Sequence, residues 1–82
     1  MTDVTVQVLD LMRHTLRIPE NFALAMNLSP VQVPGWDSLG WVNLIAGIEN
    51  QFKVELQFDE LEKVYNVGQL CELVNRTLAA RA

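Results

Sequence analysis

The sequence predicts an all-α fold: a small four-helix bundle of three longer helices and one short one, with a long loop after the first helix. Three observations lead there. Apolar residues recur at helical spacing in three separate stretches. Pro19, Pro30, Pro34 and Gly35 crowd into a single connection. Residues 53–58 alternate in strand fashion, and the 18–37 connection does so in part, but neither has a partner strand elsewhere in the chain. With 82 residues, 50% of them hydrophobic and 20% charged, the chain supplies enough apolar side chains for one compact domain across residues 1–82.

Residues 3–17 read as the first helix. Val4, Val8, Met12 and Leu16 recur every fourth residue, with Leu9 and Leu11 widening the stripe. Thr2 or Asp3 is placed to cap its start, and Pro19 ends it by disfavouring helix in the residue before it. Residues 18–37 form the long connection, which Phe22, Leu24, Met26, Leu28, Val31 and Val33 pack down. A short turn of helix is expected near residues 22–26. The second helix covers residues 38–52, with a core stripe of Leu39, Val42, Ile45, Ala46 and Phe52, broadened by Trp41, Leu44 and Ile48. Gly47 in its middle costs up to about 1 kcal/mol relative to alanine. Residues 53–58 then make an extended connection that buries Val54, Leu56 and Phe58. Asp59 caps a short helix over 60–64. Asn66 caps the last helix, roughly 67–80, whose stripe is Leu70, Leu73, Val74 and Leu78. Arg76 and Arg81 near its end suit the helix dipole.

Charge narrows the partners. The formal net charge is −4, and residues 35–62 hold six carboxylates (Asp37, Glu49, Glu55, Asp59, Glu60, Glu62) against Lys53 alone. Such a field repels nucleic acid and favours basic protein surfaces, although a solvated acidic face accounts for the same charges. The single cysteine, Cys71, forms no internal disulfide and reads as a buried, inert thiol; no Cys/His cluster suggests a metal. There is no apolar run of membrane-spanning length and no signal-peptide pattern, so a soluble cytoplasmic protein is expected. A monomer is expected too, with weak self-association through exposed tryptophans as the alternative.

The most informative stretch is Gly35-Trp36-Asp37-Ser38-Leu39, where the Pro-rich loop ends and the second helix begins. Ser38 has three readings. It is a good N-cap, as is Asp37 beside it. As a catalytic nucleophile it lacks a base: the only histidine, His14, falls on the polar side of the first helix. As a passive attachment point it needs no base, and the amides of a helix start favour a phosphate.

This stretch, followed by Val42, Leu44, Ile48, Glu49 and Phe52, resembles the acyl carrier protein family. The likeness extends to the first helix, the long loop, the acidic short helix at 59–63 and the Asn66-Val67 start of the last helix. The resemblance implies that Ser38 bears covalent 4′-phosphopantetheine, whose thiol holds an acyl group as a thioester. It implies a carrier with no catalysis of its own, in fatty-acid, polyketide or related biosynthesis. Its implied partners are a phosphopantetheinyl transferase and acyl-loading and acyl-consuming enzymes. Asp37 would cap the helix or orient the modifying enzyme, and Leu39 would anchor the helix start in the core. Trp36, Trp41, Glu49, Asp59 and Glu60 are the expected partner contacts, with a core position as the alternative for Trp41. Leu39, Val42, Ile45, Leu56, Leu61 and Leu73 would line an acyl cleft, although ordinary core packing accounts for the same residues. The chain departs from the fatty-acid type, which carries several acids along the second helix; here Asn43 and Asn50 are neutral and only Glu49 remains. That departure fits a dedicated carrier for a specialised pathway. Two other readings stay open: an aminoacyl, peptidyl or D-alanyl carrier, and an unmodified helical interaction module docking through Trp36 and Trp41.

Overall fold

The computed structural model describes the backbone of residues 3–81 and the side chains of residues 3–80. The elements run α1 (Val4–Leu16), a 3-10 turn (Pro30–Gln32), α2 (Ser38–Phe52), α3 (Phe58–Leu61) and α4 (Val67–Arg81), with no strand among the described residues. α1 packs against both α2 and α4.

The expected four-helix order is present, and the caps explain most of its boundaries. Asp3 caps α1 by accepting a hydrogen bond from the Thr5 amide at 2.9 Å; the alternative cap, Thr2, lies outside the described residues. Asn66 Oδ1 accepts from the Gln69 amide at 2.8 Å, and Gln69 Oε1 reaches back to the Tyr65 amide at 2.6 Å. This reciprocal pair opens α4. The other α4 amides are met by the long loop: Val67 donates to the Leu28 carbonyl at 3.0 Å and Gly68 to the Met26 carbonyl at 2.8 Å. Arg13 pins the same loop to α1, its guanidinium donating to the carbonyl of Phe22 at 3.0 Å and of Pro19 at 3.4 Å.

Three sequence expectations are corrected here. Residues 22–26 form no helix; the loop's only helical turn is the 3-10 turn at Pro30–Gln32, where proline starts a helix without losing a needed donor. The short helix begins two residues earlier than expected, so Asp59 sits inside its first turn, and Gln57 precedes it without a side-chain cap. Phe58 is 75% exposed, because it opens α3 on the outer side, while Leu56 is buried as expected.

The core is built from Val8, Met12 and Leu16 of α1, Leu44 and Ile48 of α2, and Val67, Leu70, Leu73 and Val74 of α4. Ile18, Val33, Trp36, Leu56 and Leu61 close it from the connections and α3. Each fully buried aliphatic side chain contributes about 1.5–3 kcal/mol. No polar or charged side chain is buried among the described residues. Cys71 is buried beside this core, and its burial, reinforced by the Asp3 carboxylate, pushes the thiol above its ordinary range. The stability linked to that thiol is therefore complete below its unfolded-state value and lost as pH rises through the folded one. Alkylation of Cys71 is expected to run at least about tenfold slower in the folded protein than in urea. Equal rates would show the thiol to be open.

Two helices end on non-glycine residues in the left-handed region, Arg17 at φ 55° and Lys53 at φ 57°. Glycine adopts this conformation without the Cβ penalty. Arg17→Gly is accordingly expected to stabilise the fold by about 0.5–1 kcal/mol, a Tm rise of roughly 4 °C. A lower Tm would contradict it.

Candidate functional site

α2 begins at Ser38 because Asp37 takes the cap. The Asp37 backbone is extended, and its Oδ1 accepts from the Gly40 amide at 2.8 Å, while its carbonyl accepts from Trp41 at 2.7 Å. Ser38 thereby becomes the first helical residue, with a hydroxyl that is exposed and has no hydrogen-bond partner among the described residues. The amides of Ser38 and Leu39 have no acceptor inside the helix. Of the two capping residues read from the sequence, only one is occupied as a cap, and it is not the serine.

Backbone packing holds this corner in place. Gly35 has φ 79°, and a Cβ there would stand 2.6 Å from the Leu16 carbonyl oxygen. A Cβ on Gly40 would overlap the Gly35 carbonyl oxygen and come within 2.9 Å of Leu16 Cδ2. Two glycines thus let the end of α1, the loop and the first turn of α2 touch, which sets the direction in which Ser38 projects.

The tryptophans separate into two roles. Trp36 is 6% exposed and belongs to the core, so the expectation that it meets a partner is corrected. Trp41 is half-buried, stacked obliquely on Trp36 with ring centroids 5.8 Å apart and planes 47° apart. A hollow of about 270 Å³ opens beside Ser38, lined by Pro30, Trp36, Asp37, Ser38, Trp41 and Val64. Sequence reading missed Pro30 and Val64 here, since each lies in a different connection and only the fold brings them to Ser38.

Leu39 is 72% exposed and does not anchor the helix in the core. It lies on the opposite side of α2 from the buried pair Leu44 and Ile48. Of the six residues expected to line a cleft, Val42, Ile45 and Leu61 border an open apolar groove of about 440 Å³ between α2 and α3. Trp41 and the exposed Phe58 complete its walls, with Glu49 and Glu62 at its edge. Leu56 and Leu73 belong instead to the closed core.

The acidic residues are less available than their count suggests. Glu49 Oε2 accepts from the Leu56 amide at 2.9 Å and so fastens the turn after α2. Glu60 pairs with Arg76 at 3.5 Å, a largely exposed contact worth little. Asp59 and Glu62 are exposed. His14 is exposed and shares a recess with Gln51. Gln51 lies about 20 Å along α2 from Ser38 at the helical rise per residue. The one histidine is therefore remote from Ser38, the neighbouring Asp37 carboxylate is engaged in the cap, and no cluster of metal-ligating side chains occurs among the described residues.

Comparison with known proteins agrees with this geometry. Residues 6–74 match the family described as "phosphopantetheine attachment site". The fold matches the solution structure of a holo acyl carrier protein from Geobacter metallireducens, with a TM-score of 0.84 and 29% identity over 98% of this chain and 91% of that one. No curated protein matches the chain. The fold and site define a carrier of the phosphopantetheine-attachment type, built like an acyl carrier protein. The chain belongs to the phosphopantetheine attachment site family, whose prosthetic group is covalently held 4′-phosphopantetheine. No described helix is long and apolar enough to cross a membrane.

Proposed function

We propose that the protein is an acyl carrier whose prosthetic group is attached at Ser38. The observation that carries this is the division of labour at the start of α2. Asp37 satisfies the cap, so the Ser38 hydroxyl is exposed and unbonded, beside two first-turn amides suited to a phosphate. When bound, the group supplies a thiol that holds an acyl chain as a thioester. The chain itself supplies position. Gly35 and Gly40 set the corner from which Ser38 projects, and Val42, Ile45, Phe58 and Leu61 offer an apolar groove in which an acyl chain is sheltered from water.

The same surfaces support a reading of the partners. Leu39, Val42 and Phe58 are exposed around the site, whereas the only carboxylate along α2, Glu49, is engaged by the Leu56 amide. A phosphopantetheinyl transferase and the acyl-loading and acyl-consuming enzymes would grip this face mainly by apolar contact, as suits a carrier serving a specialised fatty-acid, polyketide or related pathway. Their association is expected to change by less than about tenfold between roughly 0.05 and 0.5 M salt. A steeper dependence would require a charge-read interface.

The direct test is intact mass after incubation with coenzyme A and a broad-specificity transferase. A gain of one phosphopantetheinyl unit, mapped by peptide fragmentation to Ser38, is the expected result. No gain with several transferases would leave an unmodified interaction module as the better account.

A further inference from the structure

The attachment reading leaves the hollow beside Ser38 without a role. Its walls come from four separate parts of the chain: Pro30 in the 3-10 turn, Trp36 at the loop's end, Ser38 and Trp41 in the first turn of α2, and Val64 before α4. Apart from Ser38 and the cap residue Asp37, every lining side chain is apolar. Trp41 follows Ser38 by three residues, which puts the two on one side of the helix, and helical side chains lean back towards the N-terminus. Trp36 supports the Trp41 ring from the core side, at 5.8 Å between centroids. Trp41 is thus a braced aromatic surface at the edge of the serine hydroxyl, not a free side chain in solvent.

Phosphopantetheine has a fixed order of groups. The phosphate comes first, then a quaternary carbon with two methyl groups, then two amides and the thiol. From the serine oxygen, the first apolar portion an occupant of this hollow would present is the dimethyl carbon. We propose that Trp41, Pro30 and Val64 form a shelf for that dimethyl portion, so that the proximal part of the arm rests against the protein and the amide-and-thiol end extends beyond. The inference rests on Ser38 being the attachment point, and it gives Trp41 a role towards the arm in place of a partner anchor. Asp37 stays in its cap and leaves the anionic phosphate to the free first-turn amides.

The test uses the full chain, labelled for NMR and converted to the holo form with coenzyme A and a transferase. Intact mass reports attachment, and nuclear Overhauser contacts report the shelf. The expected result is a mass gain together with cross-peaks from the arm's two methyl groups to the Trp41 indole and the Val64 methyls. In holo Trp41→Leu the cross-peaks to the Val64 methyls, and in holo Val64→Ser those to the Trp41 indole, are expected to be lost or sharply weakened while the mass gain is retained. A mass gain with no such cross-peaks, and with shift changes confined to Ser38 and Leu39, would overturn the shelf and leave the carrier reading standing. Absence of any mass gain at Ser38 would overturn both.

Discussion

Ser38→Ala is expected to abolish the phosphopantetheinyl mass gain completely while leaving Tm within about 1 °C of the parent. The reasoning is local. Asp37, not Ser38, caps α2, and the serine hydroxyl has no hydrogen-bond partner among the described residues. Removing it therefore breaks no hydrogen bond, and alanine at the first helical position is well tolerated. A serine acting as a cap would behave differently, since its loss costs about 1 kcal/mol. The pair of measurements separates the roles: a marked Tm drop would assign Ser38 to structure, and retained modification would move the attachment point elsewhere. Asp37→Ala is the complementary variant, expected to lower Tm through loss of the cap.

The second large effect concerns a glycine with no polar chemistry. Gly40→Ala is expected to destabilise the protein by about 2–3 kcal/mol, a Tm lower by roughly 10–20 °C. Helix propensity argues the other way, favouring alanine by up to about 1 kcal/mol. Sterics decides, because the new Cβ would overlap the Gly35 carbonyl oxygen, a backbone atom that yields only if the loop shifts. Gly47→Ala is the internal control. Its Cβ would meet Leu11 Cδ1 at 3.4 Å, an ordinary contact with the end of a flexible side chain, so the propensity gain should survive. If both variants gain stability, the close approach at Gly40 is not real. If Gly40→Ala folds at low temperature, slower modification at a normal transferase KM would show that the corner orients Ser38.

Much of the architecture was legible because its signals are local. The Asn66 cap, the fourfold spacing of Val8, Met12 and Leu16, and the loop-to-helix junction at Ser38 all declare themselves within a few residues. What failed were judgements that depend on packing between distant segments. Eight of the fifteen residues of α2 are apolar, so periodicity could not say which stripe faces inward; Leu44 and Ile48 do, and Leu39 does not. Trp36 looked like a docking residue, yet the loop folds it into the core. Glu49 looked like a partner contact, yet an amide seven residues on engages it. The hollow at Ser38 could not be foreseen from residue types alone, since Pro30 and Val64 are 34 positions apart and each is unremarkable where it stands.

The junction between the long loop and α4 has a consequence for how such proteins diverge. Val67 and Gly68 donate backbone hydrogen bonds to the carbonyls of Leu28 and Met26, and the Leu28 side chain also packs against the core. Of these four positions, the exposed Met26 is therefore freest to drift in residue identity without disturbing its bond, whereas Leu28 is held by its core packing and Gly68 is constrained, because a Cβ there would stand 3.2 Å from the Met26 oxygen. Distant homologues should share the clasp in three dimensions while showing no common letter at residue 26 and keeping an apolar residue at 28.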